Sequence, residues 1–214
     1  MGELAIRDII DIFDKISAVM DENKEALCEL DAKMGDGDLG LTMSRGWAAA
    51  AEAAKAVEEP DIGKILIKSG FKMSSAAPSS MGTLLASGLV EAGKLLKDKM
   101  RFGTGEFALL LKGLCDGIIK RGHCAPGDRT VLDALWPAYE AAGQLGEGTS
   151  LLEASEIVRG ASKKGLESTK EMTPKFGRAA VLAEKTRGIE DQGAVAGFLV
   201  VDAICEYIDG HFTL

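Results

Sequence analysis

Apolar side chains recur at three- and four-residue intervals along nearly the whole chain. Ile6, Ile9, Ile10, Phe13, Ile16 and Met20 mark one face across residues 4–29, and acids and lysines fill the other, as in an amphipathic helix. The same spacing predicts a second helix over about 41–57. Pro60-Asp61 opens a third, carrying Ile62, Ile65, Leu66 and Phe71. A fourth covers about 81–97, and a fifth covers about 105–121 with Phe107, Leu110, Leu111, Leu114 and Ile118. The sixth begins at Thr130. The seventh begins at Ser150, whose S-L-L-E string through Glu153 has the form of a capping box. The eighth runs over about 191–208. The best strand-like string, GFLVV at 197–201, lies inside a longer stretch of helical period and reads as helix. The expectation is an all-α fold of about eight helices forming a single domain over residues 1–214.

Composition narrows the function classes. Of 214 residues, 46% are hydrophobic, enough for one sizeable core, while aromatics are only 5%, so helices pack through small side chains. The net charge of −8 and the lack of a long basic run argue against a nucleic-acid partner, because neutralising phosphates takes clustered Lys and Arg. Cys28, Cys115, Cys124 and Cys205 form no C-x-x-C pair and fit a reduced, cytoplasmic setting better than a disulfide framework. The N-terminal stretch carries acids throughout, unlike a signal peptide, and no apolar run reaches the ~18–20 residues of a membrane span.

Candidate chemistry falls in four joints between helices: 31–42, 74–83, 122–130 and 174–193. The first contains MGDGDLG at 34–40, which matches G-x-G-x-x-G through Gly35, Gly37 and Gly40. That pattern brings bare backbone amides to a pyrophosphate, which Asp36 and Asp38 would repel, and a helix rather than a strand precedes it. Asp31, Asp36 and Asp38 place three carboxylates within eight residues, on glycines that allow sharp turns. Mg²⁺ relieves such repulsion and shares its oxygen ligands with phosphate. Three carboxylates and a triphosphate of about −4 are bridged in charge by two Mg²⁺ ions. A calcium loop is excluded because its twelfth position, counted from Asp36, is Trp47. The plain alternative is a Gly/Asp turn whose acids are solvated or cap the next helix.

The second joint holds Ser79 and Ser80 ahead of an apolar helix, a pattern suited to anion binding and equally to N-capping. No G-K-[ST] occurs, so a Walker A loop is excluded. In the third joint Pro126-Gly127 forms a turn, Asp128 or Thr130 caps the next helix, and His123 reads as a bystander, as does His211. The fourth puts Lys175, Arg178, Lys185 and Arg187 into an acidic protein and opens the last helix at Asp191-Gln192-Gly193-Ala194. An Arg beside glycine suits phosphate contact, whereas the lysines and Arg187 read as a solvated face.

Together, LDAKMGDGDLGLTMSRG at 30–46, GDRTVLDALWPA at 127–138, GRAAVLAEKTRG at 177–188 and DQGA at 191–194 resemble the nucleotide-binding L subunit of dihydroxyacetone kinases, in order, spacing and length. The resemblance implies a barrel of eight antiparallel amphipathic helices with ADP or ATP at one end. It implies two Mg²⁺ ions on Asp31, Asp36 and Asp38, phosphate contact from Leu39, Gly40, Leu41 and Thr42, and a further catalytic contact from Arg178. Ser79, Ser80 and Met81 match the family's phosphate-binding string, here shortened to AAPSSMGT. Gly122 and Val131 match pocket-lining positions, and Asp191, Gln192 and Gly193 match the last motif. The family departures are Leu39, where a His or Thr is frequent, the shortened string, and Gln192 in place of Pro.

The implied reaction is phosphoryl transfer to a short ketose held on a separate K subunit. A phosphotransferase-system phosphocarrier (M subunit) would recharge a resident ADP, or ATP would exchange freely. A second copy of the chain is a further candidate partner. Two other classes compete: a regulatory nucleotide-binding protein sensed by a transcription factor, and a helical scaffold whose acidic loop is merely solvated.

Overall fold

The computed structural model describes residues 2–58, 60–146, 148–181 and 186–213. In chain order the elements are β1 (Leu4–Ala5), α1 (Ile6–Glu22), α2 (Lys24–Ala32), α3 (Leu39–Lys55), α4 (Ile62–Ala76) and α5 (Ser80–Leu95). There follow β2 (Arg101–Phe102), α6 (Thr104–Gly122), α7 (Leu132–Gly143), α8 (Leu151–Ser168), a 3₁₀ turn (Thr169–Glu171), α9 (Gly177–Val181) and α10 (Gln192–Thr213). Strand content among the described residues is one antiparallel pair, Leu4 opposite Phe102 and Ala5 opposite Arg101. The fold is all-α, as the apolar periodicity predicts, and the 197–201 string is helical within α10.

The long helices close into a ring. α1 packs on α3, and α3, α4, α5, α6, α7 and α8 each pack on the next, α8 on α10, and α10 back on α1. The apolar faces turn inward around Phe13, Trp47, Leu66, Leu89, Leu114 and Ile204, all buried. Small residues set the spacing. A Cβ at Gly113 of α6 would lie 2.2 Å from the Ala92 backbone of α5, so only glycine permits this approach. Between α7 and α8, Pro137 lacks the N–H that would bond the Asp133 carbonyl, and Gly165 lies against that freed oxygen, leaving no room for a Cβ.

Two local features differ from the sequence pattern. The predicted helix over 4–29 is two helices, because the chain breaks at Asn23, whose amide Nδ2 donates to the Val19 carbonyl at 2.8 Å. The β1–β2 pair is two residues long on each side, too short to show as alternation.

The ring decides where the joints lie. Successive long helices reverse direction, so alternate connections share an end of the barrel. The connections α1–α3, α4–α5, α6–α7 and α8–α10 therefore lie together, and they contain all four candidate joints. The α3–α4, α5–α6 and α7–α8 connections lie at the other end. Ile62 N donates to Lys99 O there, and Thr104 Oγ1 donates to Thr149 O.

Candidate functional site

The first joint is organised around Asp31, at the end of α2 and only 6% exposed. Its Oδ2 accepts the backbone N–H groups of Gly37, Asp38 and Leu39 at 2.9, 3.1 and 3.3 Å. One carboxylate thus folds the loop, and the glycines follow from that geometry. A Cβ at Gly35 would lie 2.2 Å from Asp31 Oδ1, and Gly37 has φ +77. At Gly40, in the first turn of α3, a Cβ would lie 1.8 Å from the Lys24 carbonyl of α2. The loop sits where α2 and α3 touch backbone to backbone.

Asp36 and Asp38 stand exposed above this scaffold. Ligand oxygens of Asp31, Asp36 and Asp38 all lie within 4.8 Å of one another, and among the described residues no other group of three such side chains converges. Asp38 is the N-cap residue of α3, yet its carboxylate makes no capping bond. Turn formation and capping, the plain reading of these acids, account for Asp31 and leave Asp36 and Asp38 unexplained. The set fits a hard divalent cation: oxygen donors only, one fixed by backbone amides and two open to solvent.

The fourth joint meets the other three. Arg178 in α9 pairs with Asp36, Nη2 to Oδ2 3.2 Å, joining it to the first. At Gly193 a Cβ would meet Met81 Cε at 2.7 Å, Asp191 Oδ2 at 3.0 Å and Val131 N at 3.1 Å, so the second and fourth joints converge there with the residue that follows the third. Lys175 pairs with the buried Asp128, Nζ to Oδ1 2.5 Å, and holds that carboxyl below its ordinary range. Asp191 is buried and caps α10 through Ala194 N at 2.9 Å. Burial pushes its carboxyl up to about 6, against backbone hydrogen bonds and the Arg129 charge.

The remaining candidates distribute as follows. Leu39 and Gly40 are buried, Thr42 is half-buried with its N–H bonded to Asp38 O, and Leu41 is exposed beside the carboxylates. Ser79 uses its hydroxyl to cap α5, accepting from Gly82 N at 3.0 Å, while Ser80 is exposed. Gly122 ends α6 against Leu84 of α5, and Val131 is fully enclosed against Gly197 of α10. Gln192 is half-buried, and its Oε1 is enclosed without a hydrogen-bond partner. Lys185, with residues 182–184 of the third quoted motif, lies outside the described residues.

Residues 33–206 match the DAK2 domain. The chain belongs to the DAK2 domain family. It is 29% identical to the ADP-binding subunit DhaL of the PEP-dependent dihydroxyacetone kinase of Escherichia coli, over 90% of this chain and 92% of that one. It is 31% identical to the L-erythrulose 1-kinase of Mycolicibacterium smegmatis, over 94% of this chain but only 36% of that protein. In structure it is similar to the dihydroxyacetone kinase of C. freundii solved with AMP-PNP and Mg²⁺, with a TM-score of 0.72 and 24% identity over 92% of this chain and 33% of that one. That last likeness is one of fold. The chain spans about a third of the erythrulose kinases and nearly all of the E. coli subunit.

Sequence reasoning reads one further residue of this DAK2 domain in part, as the end of a T-V-L-D capping box at 130–133, and misses another. Asp133 accepts Gly127 N and Thr130 N, at 2.5 and 2.7 Å, and so folds the third joint as Asp31 folds the first. The T-V-L-D string signals this, but as half a capping box: Thr130 Oγ1 accepts from Leu132 N rather than from Asp133 N. Asp128, read as a helix cap, instead closes a turn by accepting Ala125 N at 2.7 Å. The missed residue is Arg129, 3% exposed, with φ 62. A left-handed backbone at a residue with a Cβ costs about 1–2 kcal/mol. Nothing local marks it, because its hydrogen-bond partners lie 57 and 60 residues downstream.

Proposed function

We propose that this chain is the nucleotide-binding, phosphoryl-donor subunit of a ketose kinase, with Mg²⁺ and ADP or ATP at the joint-bearing end of the barrel and the ketose on a separate K subunit. One observation carries the reading: Asp36 and Asp38, unused by the fold, converge with Asp31 beside Arg178. The 29% identity to an ADP-binding subunit of matching length supports the nucleotide and the subunit role.

Asp31, Asp36 and Asp38 would hold two Mg²⁺ ions. Bound there, the metal supplies charge neutralisation between carboxylates and phosphate oxygens. Asp31 keeps the loop in place through its three amide bonds, so the site is set before ligand arrives. Leu41, in the first turn of α3, would present its backbone N–H to the phosphates, and Thr42, whose N–H is taken by Asp38 O, would offer its hydroxyl. Arg178 is 67% exposed and, among the described residues, paired only with an exposed acid, so moving its planar donor fork from Asp36 to a phosphate oxygen sacrifices little. In-line transfer needs positioning and charge balance rather than a covalent intermediate on this chain.

The test is calorimetric titration of ADP into the nucleotide-stripped protein, with and without Mg²⁺. The expected outcome is binding that requires Mg²⁺. A folded, nucleotide-free protein that binds no ADP in either condition would sink the reading and leave the scaffold alternative. If ADP binds but supplying a K subunit yields no ketose phosphorylation, the kinase role fails and a nucleotide-binding regulatory role replaces it.

A further inference from the structure

We propose that Arg129 is a positioning residue: its buried guanidinium fixes the segment leading into α10, so that Asp191, Gln192 and Gly193 stand at the nucleotide. The inference rests on the reading that this end of the barrel binds Mg²⁺-nucleotide.

A guanidinium at 3% exposure is normally matched by a carboxylate. Arg129 has no ion pair within 4.0 Å among the described residues. Its bonds go to one short stretch of chain. Nη1 donates to Thr186 Oγ1 at 2.5 Å, and Nη2 donates to the carbonyls of Thr186 and Ile189, both at 2.8 Å. A planar fork can satisfy these acceptors together; the point-like ammonium of lysine cannot. The cost of the arrangement is visible at both ends of the side chain. The backbone sits at φ 62, and Nε is enclosed without a hydrogen-bond partner. Strain and an orphaned donor at one buried cation are retained where the surroundings over-determine them.

What the fork holds leads into the proposed site. Ile189 lies two residues before Asp191. Among the described residues, other bonds to this stretch include Gly188 N to Lys170 O, Ile189 N to Thr186 O, Asp191 N to Thr169 Oγ1 and the ion pair of Lys170 with Glu190. None of these reaches the third joint, so Arg129 ties the start of α10 to the α6–α7 connection. The junction has no slack, because Gly193 is closed in by Met81, Asp191 and Val131. A small shift of residues 186–190 therefore displaces Asp191–Gly193 relative to α5 and α7.

The test compares the full wild-type chain with Arg129→Gly. Glycine accepts φ 62 without strain, so this variant removes the guanidinium while relaxing the backbone. ADP affinity in Mg²⁺ is read by calorimetry below the melting temperatures of both proteins, and amide hydrogen exchange is read along the whole chain. The expected result is a roughly tenfold or greater loss of affinity, with faster exchange in residues 186–195 and unchanged exchange in α1 and α3–α6. ADP affinity within about twofold of wild type overturns the proposal. So does exchange that rises evenly over all helices, which marks a general prop of the barrel. If wild type itself binds no ADP, the nucleotide reading fails and takes the proposal with it, a result the wild-type titration alone identifies. Should Arg129→Gly not fold, Arg129→Lys replaces it: it keeps the charge without the fork and is expected to weaken ADP in the same direction. Full affinity in the lysine variant overturns the proposal.

Discussion

At the end of the barrel that carries the chain termini, the starts of four long helices are held by side chains close to home. Asp61 caps α4 through Lys64 N, Ser150 caps α8 through Glu153 N, Glu106 accepts from Gly103 N and Asp8 accepts from Ala5 N, each across three residues. At the opposite end, beside local caps such as Ser79, several side chains of the same kinds reach further or are left over. Asp31 gathers amides six to eight residues on, Lys175 reaches Asp128 across 47 residues, and Arg129 reaches Thr186 across 57. Asp38 stands at a helix start and caps nothing. Local satisfaction of a carboxylate is a folding device, and it accounts for Asp61 and Glu106 at their helix starts. A carboxylate that the fold leaves unused, set within reach of two others, needs another reason to be there.

The largest expected effect tests that surplus directly. Asp36→Asn or Asp38→Asn should weaken Mg²⁺-dependent ADP binding by roughly a hundredfold or more, because each removes a ligand oxygen of the proposed metal site. Stability of the ligand-free protein should stay within about 0.5 kcal/mol, since the only bond lost is an exposed pair with Arg178. Calorimetry and thermal unfolding of the same samples check both halves. A variant that binds nucleotide normally would remove the contrast between the two ends.

Next in size is a pair of glycines. Gly40→Ala would push a methyl into the Lys24 carbonyl and force α2 from α3, at a cost of about 2–4 kcal/mol in urea unfolding. Gly105, in the first turn of α6 at the terminal end, has open space around its Cα. There Gly105→Ala should gain about 0.5–1 kcal/mol through helix propensity. Equal effects at the two positions would show that the first loop is not held by backbone contact.

How much of this was legible beforehand follows the same division. Helices and most caps are local, so apolar period and strings such as S-L-L-E revealed them. The break at Asn23 escaped because Leu27 continues the apolar face past it. The carboxylate cluster was legible because its three members fall within eight residues. Arg129 was not, because its meaning lies in two carbonyls and a hydroxyl 57 and 60 residues away. That the four joints share an end follows from ring closure, which no single motif encodes.

A smaller, pH-dependent effect separates the ends through Asp191. Its folded pKa of about 6 lies above the ordinary 3.8 because of burial. Its contribution to stability is therefore fully present below about pH 3.8 and is lost as pH rises through about 6. Asn keeps a neutral acceptor for Ala194 N at every pH. Asp191→Asn should be more stable than wild type by about 3 kcal/mol near pH 8, and equal to it below about pH 4. Urea unfolding across that range reads the difference. A gap that does not change with pH would mean that Asp191 carries no buried charge, and its place at the site would lose its physical basis.

The smallest effect is the control on the whole comparison. Asp61 is buried, and its Oδ1 accepts Lys64 N at 2.9 Å at the start of α4, with Lys64 Nζ 3.5 Å away as an exposed partner. Removing a cap of this kind costs about 1 kcal/mol, so Asp61→Ala should lower the unfolding midpoint modestly. It lies at the other end of the barrel from the three aspartates, and α4 runs from one end to the other. If that helix acts only as a wall, ADP affinity in Mg²⁺ should be unchanged within about twofold. A tenfold shift would show that fraying one end of α4 is felt at Ala77 and Ser79 on the other. The barrel would then transmit strain along its helices, and the division between a folding end and a binding end would have to give way to a coupled pair.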